Sequence, residues 1–182
     1  MRIEPDTKDW TWVLSHACPD CGFDAPSLER ERVPQAIRDN ATLWEVVLGT
    51  DDAAVRPSPV VWSPLEYACH VRDVNELFEQ RLEMMLTEDD PQFANWDQDE
   101  TAIGQVYLEQ DPATVAREVV ATAERVADRY ETVRDDQWER PGTRSDGKRF
   151  TVDTFARYHL RDLVHHAHDV SHITKRVTVA SY

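Results

Sequence analysis

Positive charge is scarce in this chain. Against 35 Asp and Glu it sets only 20 Lys and Arg, a formal net charge of −15 over 182 residues. A surface of that sign repels phosphate backbones and anionic lipid headgroups, and no local cluster reverses it. Arg30/Arg32 and Arg144/Lys148/Arg149 are short and diluted by acids. No nucleic-acid or membrane partner is therefore expected, and the acidity is read as serving solubility or tolerance of a salty cytoplasm. Long apolar runs are missing too, so no stretch approaches the ~18 residues of a membrane-spanning helix. The start, MRIEPDTKDWTWVLSHACPDC, has no apolar core behind a basic end, which excludes a secretory signal and makes a cytoplasmic location the expectation. Cysteine is also sparse: three residues, an odd number, do not build a disulfide framework. Internal repeats and low-complexity tracts are absent.

What is present is a hydrophobic content of 41 %, enough for one domain, residues 1–182, with a substantial core. Residues 1–32 read as an N-terminal arm, extended and irregular to about residue 26, where Pro5, Pro19, Gly22 and Pro26 break any period. From Val33-Pro34, apolar residues Ile37, Ala41, Trp44, Val47 and Leu48 recur at helical steps until Gly49. After a loop over residues 51–61, Ser63-Pro64-Leu65-Glu66 combines an N-cap serine, a proline at the first helical position and a capping-box glutamate. The stripe Tyr67, Val71, Val74, Phe78, Leu82 and Met85 carries that helix to about residue 87. A polar stretch, 88–99, precedes a short helical turn over 101–110. Asp111-Pro112 opens a third long helix that ends before Asp135, and 135–150 reads as a loop or small hairpin. From Thr151, Phe155, Leu160, Leu163, Val164, Ala167 and Val170 mark a fourth long helix, and Val177 to Ala180 form a short tail. Four long amphipathic helices without alternating strands predict an all-α four-helix bundle over residues 33–175.

The histidines crowd one place: Asp162-Leu-Val-His-His-Ala-His-Asp-Val170 holds three of the chain's seven. On a helical wheel His159, Asp162 and His166 lie along one edge of the apolar arc, whereas His165, His168 and His172 fall on the far side, toward water. The four-residue step from Asp162 to His166 stacks a carboxylate and an imidazole one turn apart, which suits two ligands of one divalent ion. A third ligand must come from another helix. His70 stands at the edge of the second helix's stripe, and with Asp162 and His166 it completes a two-histidine, one-carboxylate set with open positions.

These two segments, Trp62-Ser-Pro-Leu-Glu-Tyr-Ala-Cys-His70-Val and Asp162-Leu-Val-His-His166-Ala-His-Asp169-Val, resemble the DinB/YfiT-like superfamily, which includes the metal-binding domain of mycothiol-dependent maleylpyruvate isomerases. The resemblance covers roughly residues 33–175 and implies a bundle in which His70, Asp162 and His166 hold zinc, nickel or a similar ion. Asp162 stands where glutamate or histidine is commoner, so His165 and His159 are its substitutes. Asp169 matches an acid that follows the last ligand by three residues and orients a ligand imidazole. The implied activity is that of a cytosolic metalloenzyme acting on a small molecule, either a transferase or isomerase dependent on a low-molecular-weight thiol such as mycothiol, or a metal-assisted hydrolase. A non-catalytic metal-binding or stress-associated bundle is the alternative. A homodimer through apolar helix faces is also implied.

Other signals stay open at this level. Cys18-Pro-Asp-Cys21-Gly has the form of a zinc knuckle, but a tetrahedral thiolate site normally needs a second pair, and only Cys69 remains. The alternatives are a redox thiol pair and a tight turn that packs the arm. Cys69 reads as a small core residue. The six tryptophans read as packing anchors. Arg157 and Arg161, a turn apart near the histidines, either receive an anionic substrate group or are solvated on an acidic surface.

Overall fold

The computed structural model describes residues 9–174. Helix α1 spans Val33–Leu48, α2 Pro64–Thr87, α3 Gln98–Gly104, α4 Pro112–Glu131 and α5 Val152–Thr174. Strands β1 (Gln92–Phe93), β2 (Pro141–Arg144) and β3 (Arg149–Thr151) form a small sheet. The four long helices fall where the sequence predicts them, and their starts are local chemistry. At α2 the Glu66 amide donates to Ser63 Oγ at 3.3 Å while the Ser63 amide donates to Glu66 Oε2 at 2.9 Å. That closes the capping box and satisfies two orphan donors. At α4 the Thr114 amide donates to Asp111 Oδ2 at 2.8 Å, and Pro112 follows the cap.

The helices pack as a bundle. α1 and α2 each lie against both α4 and α5. Their apolar stripes meet in one core that includes Ile37, Trp44, Leu65, Leu82, Tyr130, Leu160 and Leu163. Burying a side chain of that size stabilises the fold by roughly 1.5–3 kcal/mol. No helix among the described residues is long and apolar enough to cross a membrane.

Three features depart from the expectation. The stretch 88–99 is not only a polar connection: β1 pairs parallel with β2, Gln92 opposite Thr143, and β2 pairs antiparallel with β3. A two-residue strand has no period to read, and its partner lies some fifty residues away. The short helix begins at Gln98 rather than Thr101, because Asp97 caps it by accepting from the Asp99 and Glu100 amides. Finally, the arm is folded rather than extended. It runs through 3-10 turns at Thr11–Leu14, Ala25–Ser27 and Arg30–Arg32, and it buries Val13, Cys18, Phe23, Ala25 and Leu28. The segment 177–180 lies outside the described residues.

Candidate metal centre

His70 projects from the second turn of α2 and is 2 % exposed, and Asp162 and His166 face it from α5. His70 Nε2 lies 3.6 Å from Asp162 Oδ2, and His166 Nε2 lies 3.7 Å from the same oxygen. The two imidazoles meet edge to face with centroids 4.7 Å apart. One ligand atom from each of the three residues falls within 4.8 Å of the others. A zinc-like ion 2.0–2.2 Å from each donor separates its ligand atoms by roughly 3–3.5 Å, so the two contacts with Asp162 fit such an ion with shifts of a few tenths of an ångström. The contacts as they stand are longer than hydrogen bonds. His70 presents Nε2 to Asp162, while its other nitrogen, Nδ1, is buried without a hydrogen-bond partner among the described residues.

The charges suit the same reading. Burial works against ionisation of Asp162, but His166, His70 and Arg161 outweigh it and hold the carboxyl well below the usual range. Burial keeps His70 neutral, its pKa lowered despite Asp162, as a ligand imidazole must be. His166 is different. Burial opposes its charging, yet Asp162 and Asp169 together raise its pKa. The same two carboxylates would also favour a cation, so a metal ligated by His166 would have to displace a proton. Asp169 Oδ2 lies 3.5 Å from His166 Nδ1, on the ring's other side.

Above the three donors opens a cavity of about 730 Å³, the size of a small-molecule site. Aromatic side chains surround the donors. Trp96 stacks on His70 at 5.5 Å, Trp62 lies 5.4 Å from it, and Tyr67 lies 5.4 Å from His166. Trp10 also lines the space. Thus, while Trp44 is a core anchor, three of the six tryptophans are cavity walls. The sequence carried no signal for that, since Trp10, Trp62 and Trp96 all lie in non-helical segments, where no periodic stripe separates wall from core. Arg81 and Arg161 line the cavity as well.

The substitutes for Asp162 lie elsewhere. His159 is fully buried in the core rather than at its edge. Its Nε2 lies 3.0 Å from Asn75 Oδ1, and its ring stacks on Phe78 with centroids 4.3 Å apart. Burial lowers its pKa to about 3. His165 does not face water, because the folded arm covers it: its Nδ1 is 3.8 Å from Cys18 Sγ and its ring 5.5 Å from Trp10. His168 is half-buried as well. Arg157 is turned away from the cavity and holds the arm, pairing with Asp153 and donating to the Ala25 and Leu28 carbonyls. Arg161 is not solvated either. It is 3 % exposed, with its guanidinium 4.1 Å from the Trp10 ring centre. Cys69 is a buried core residue near Gln110 and the Tyr107 carbonyl.

The arm also gathers a second group of donors. Cys18 Sγ, Cys21 Sγ and a His165 nitrogen fall within 4.8 Å of one another. Burial disfavours a Cys18 thiolate, but the Cys21 and Asp20 amides, the Cys21 thiol and Arg161 outweigh it and lower the Cys18 pKa. Burial pushes the Cys21 thiol up to about 11.

Comparison with known proteins agrees with this architecture. No curated protein sequence matches the chain. Among solved structures, YfiT from Bacillus subtilis superposes with a TM-score of 0.71 at 16 % identity, over 82 % of this chain and 91 % of that one. YfiT is described as a probable metal-dependent hydrolase with an unusual four-helix bundle topology, and at this identity the likeness speaks for the fold. The sequence profile of the DinB superfamily matches residues 35–170. This chain therefore belongs to the DinB superfamily.

Proposed function

We propose that the chain is a divalent-metal-dependent enzyme acting on a small molecule in the cavity, with His70, Asp162 and His166 as ligands. The observation that carries this reading is that two neutralisable imidazoles and one ionised carboxylate, from two different helices, converge within 4.8 Å at a 730 Å³ cavity. Imidazole and carboxylate donors suit zinc or nickel. An ion bound there lowers the pKa of water or of a low-molecular-weight thiol and so supplies a nucleophile at neutral pH. The chain's own residues set the conditions. Asp162 brings the negative charge, and Asp169 orients His166 and strengthens it as a donor. Trp62, Trp96 and Tyr67 exclude water around the donors and give an apolar bed for the substrate's body. Arg81 and Arg161 stand among the acids of the cavity wall and offer local anchors for an anionic group on the substrate.

Hydrolysis and thiol transfer differ in the nucleophile, and one assay separates them. The purified protein, loaded with zinc or nickel, is offered ester and amide substrates alone, and electrophilic acceptors together with a small thiol such as mycothiol. Turnover that depends on added thiol identifies a transferase or isomerase; turnover without it identifies a hydrolase. Chelation is expected to abolish either activity, and His70→Ala and His166→Ala are each expected to lose the metal. Undiminished metal in both variants would overturn the ligand assignment, and full occupancy without turnover on either panel would leave a binding protein.

A further inference from the structure

We propose that Cys18, Cys21 and His165 form a second metal site, for a thiophilic divalent ion of the zinc type, which fastens the N-terminal arm to α5. The donors come from two regions far apart in sequence and lie within 4.8 Å of one another. The His165 Nδ1 to Cys18 Sγ distance is 3.8 Å. A tetrahedral zinc with S at about 2.3 Å and N at about 2.0–2.1 Å holds those two atoms roughly 3.6 Å apart. The cysteine loop has the corresponding shape. The Cys18 amide donates to the Phe23 carbonyl at 2.8 Å and the Gly22 amide to the Cys18 carbonyl at 2.9 Å. Gly22 turns the chain at a φ of +74°, a conformation that L side chains rarely adopt.

The surroundings support these three donors. His165 Nε2 lies 4.0 Å from Asp169 Oδ2, so the imidazole is flanked by sulfur on one side and by a carboxylate on the other. That is the carboxylate–histidine–metal order common at zinc sites. The Arg161 guanidinium, 3.9 Å from Cys18 Sγ, balances thiolate charge. Neither cysteine lines the cavity, whereas His165, Trp10 and Arg161 do. The ion's place is therefore structural: it holds the arm so that Trp10 stays in the cavity wall. It also reaches the first site, since Asp169 Oδ2 faces both His165 and His166.

Cobalt is the probe. The reduced full-length chain, freed of metal and titrated with Co²⁺, is expected to take up two ions and to show a sulfur-to-cobalt charge-transfer band with tetrahedral visible absorption. In Cys18→Ser/Cys21→Ser the band should vanish and the stoichiometry fall to one. In His70→Ala/His166→Ala the band should persist with one ion bound. Zinc should slow the reaction of Cys18 and Cys21 with a thiol reagent, and a chelator should restore it. Absence of the charge-transfer band from the wild-type chain overturns the proposal, whatever the cysteine variant's ability to fold. Persistence of two ions in the folded cysteine variant overturns it as well. Failure of the first-site assignment alone would show instead as the band with a single ion in the wild type and the same single ion in His70→Ala/His166→Ala.

Discussion

Side chains of one type on one helix behave differently here because their neighbours differ, and His159 shows it most sharply. It is fully buried against Phe78 and Asn75, and burial lowers its pKa from 6.5 to about 3. Between those values the unfolded chain binds a proton that the folded chain does not. Stability from this residue is thus complete above pH 6.5 and declines as pH falls toward 3, at up to ~1.4 kcal/mol per pH unit. Urea unfolding at pH 7 and pH 5 measures it. His159→Phe should be less stable at pH 7, since Asn75 Oδ1 loses its partner, but its loss between the two pH values should be smaller than the wild type's by about 2 kcal/mol. Equal losses would mean that His159 takes up its proton in the folded protein. Asp169 is the complementary case. Asp169→Asn keeps the shape but removes the charge facing His165 and His166. Metal affinity should fall 10- to 100-fold with little change in fold, read by competition with a coloured chelator. His70, Asp162 and His166 were legible as a set because helical spacing alone puts the last two on one edge. The environments of His159 and His165 were not. A wheel built for α5 knows neither how deep a neighbouring helix packs nor that the arm will cross its outer face.

Helix ends were the most legible elements, since a cap is a contact between residues three apart. Ser63→Ala should cost about 1 kcal/mol in thermal or urea unfolding. The effect should exceed that of an exposed cap, because Glu66 is 2 % exposed and also pairs with Arg56. The sheet is the opposite case. Hairpin residues Asp146-Gly147 announce a turn, with Gly147 at a φ of +84°, but β1 is defined only by its partner β2. Gly142 of β2 records that pairing. A Cβ there would lie 2.5 Å from Phe93 Cζ and 2.8 Å from Met85 Cγ. Both of those side chains are buried. Gly142→Ala should therefore destabilise the fold by about 1–3 kcal/mol, visible as a lower Tm. Because Phe93 lines the cavity, the variant should also weaken substrate binding. An unchanged Tm would show that the strand can shift away from the helix without loss.

At the scale of the whole molecule, the bundle brings α2 and α5 together at the centre, while the arm closes one side of the cavity. Both proposed donor groups draw on α5, and Asp169 faces both, so metal binding at either is expected to raise global stability. An ion that binds the folded chain alone stabilises it by RT ln(1 + [L]/Kd), about 2.7 kcal/mol per site at a hundredfold excess over Kd. Two sites that fill independently should therefore raise the Tm in two increments as zinc is added to metal-free protein. His70→Ala/His166→Ala should keep only the arm's increment and Cys18→Ser/Cys21→Ser only the bundle's. Shared use of Asp169 adds a further expectation. If filling one site holds that carboxylate in place, the second ion should bind more tightly to protein that already carries the first, and the two increments should sum to less than the shift at saturation. Calorimetric scans of the wild type and both variants across a zinc series measure all of these terms. A Tm indifferent to zinc in the wild type would remove metal from the folding energetics altogether.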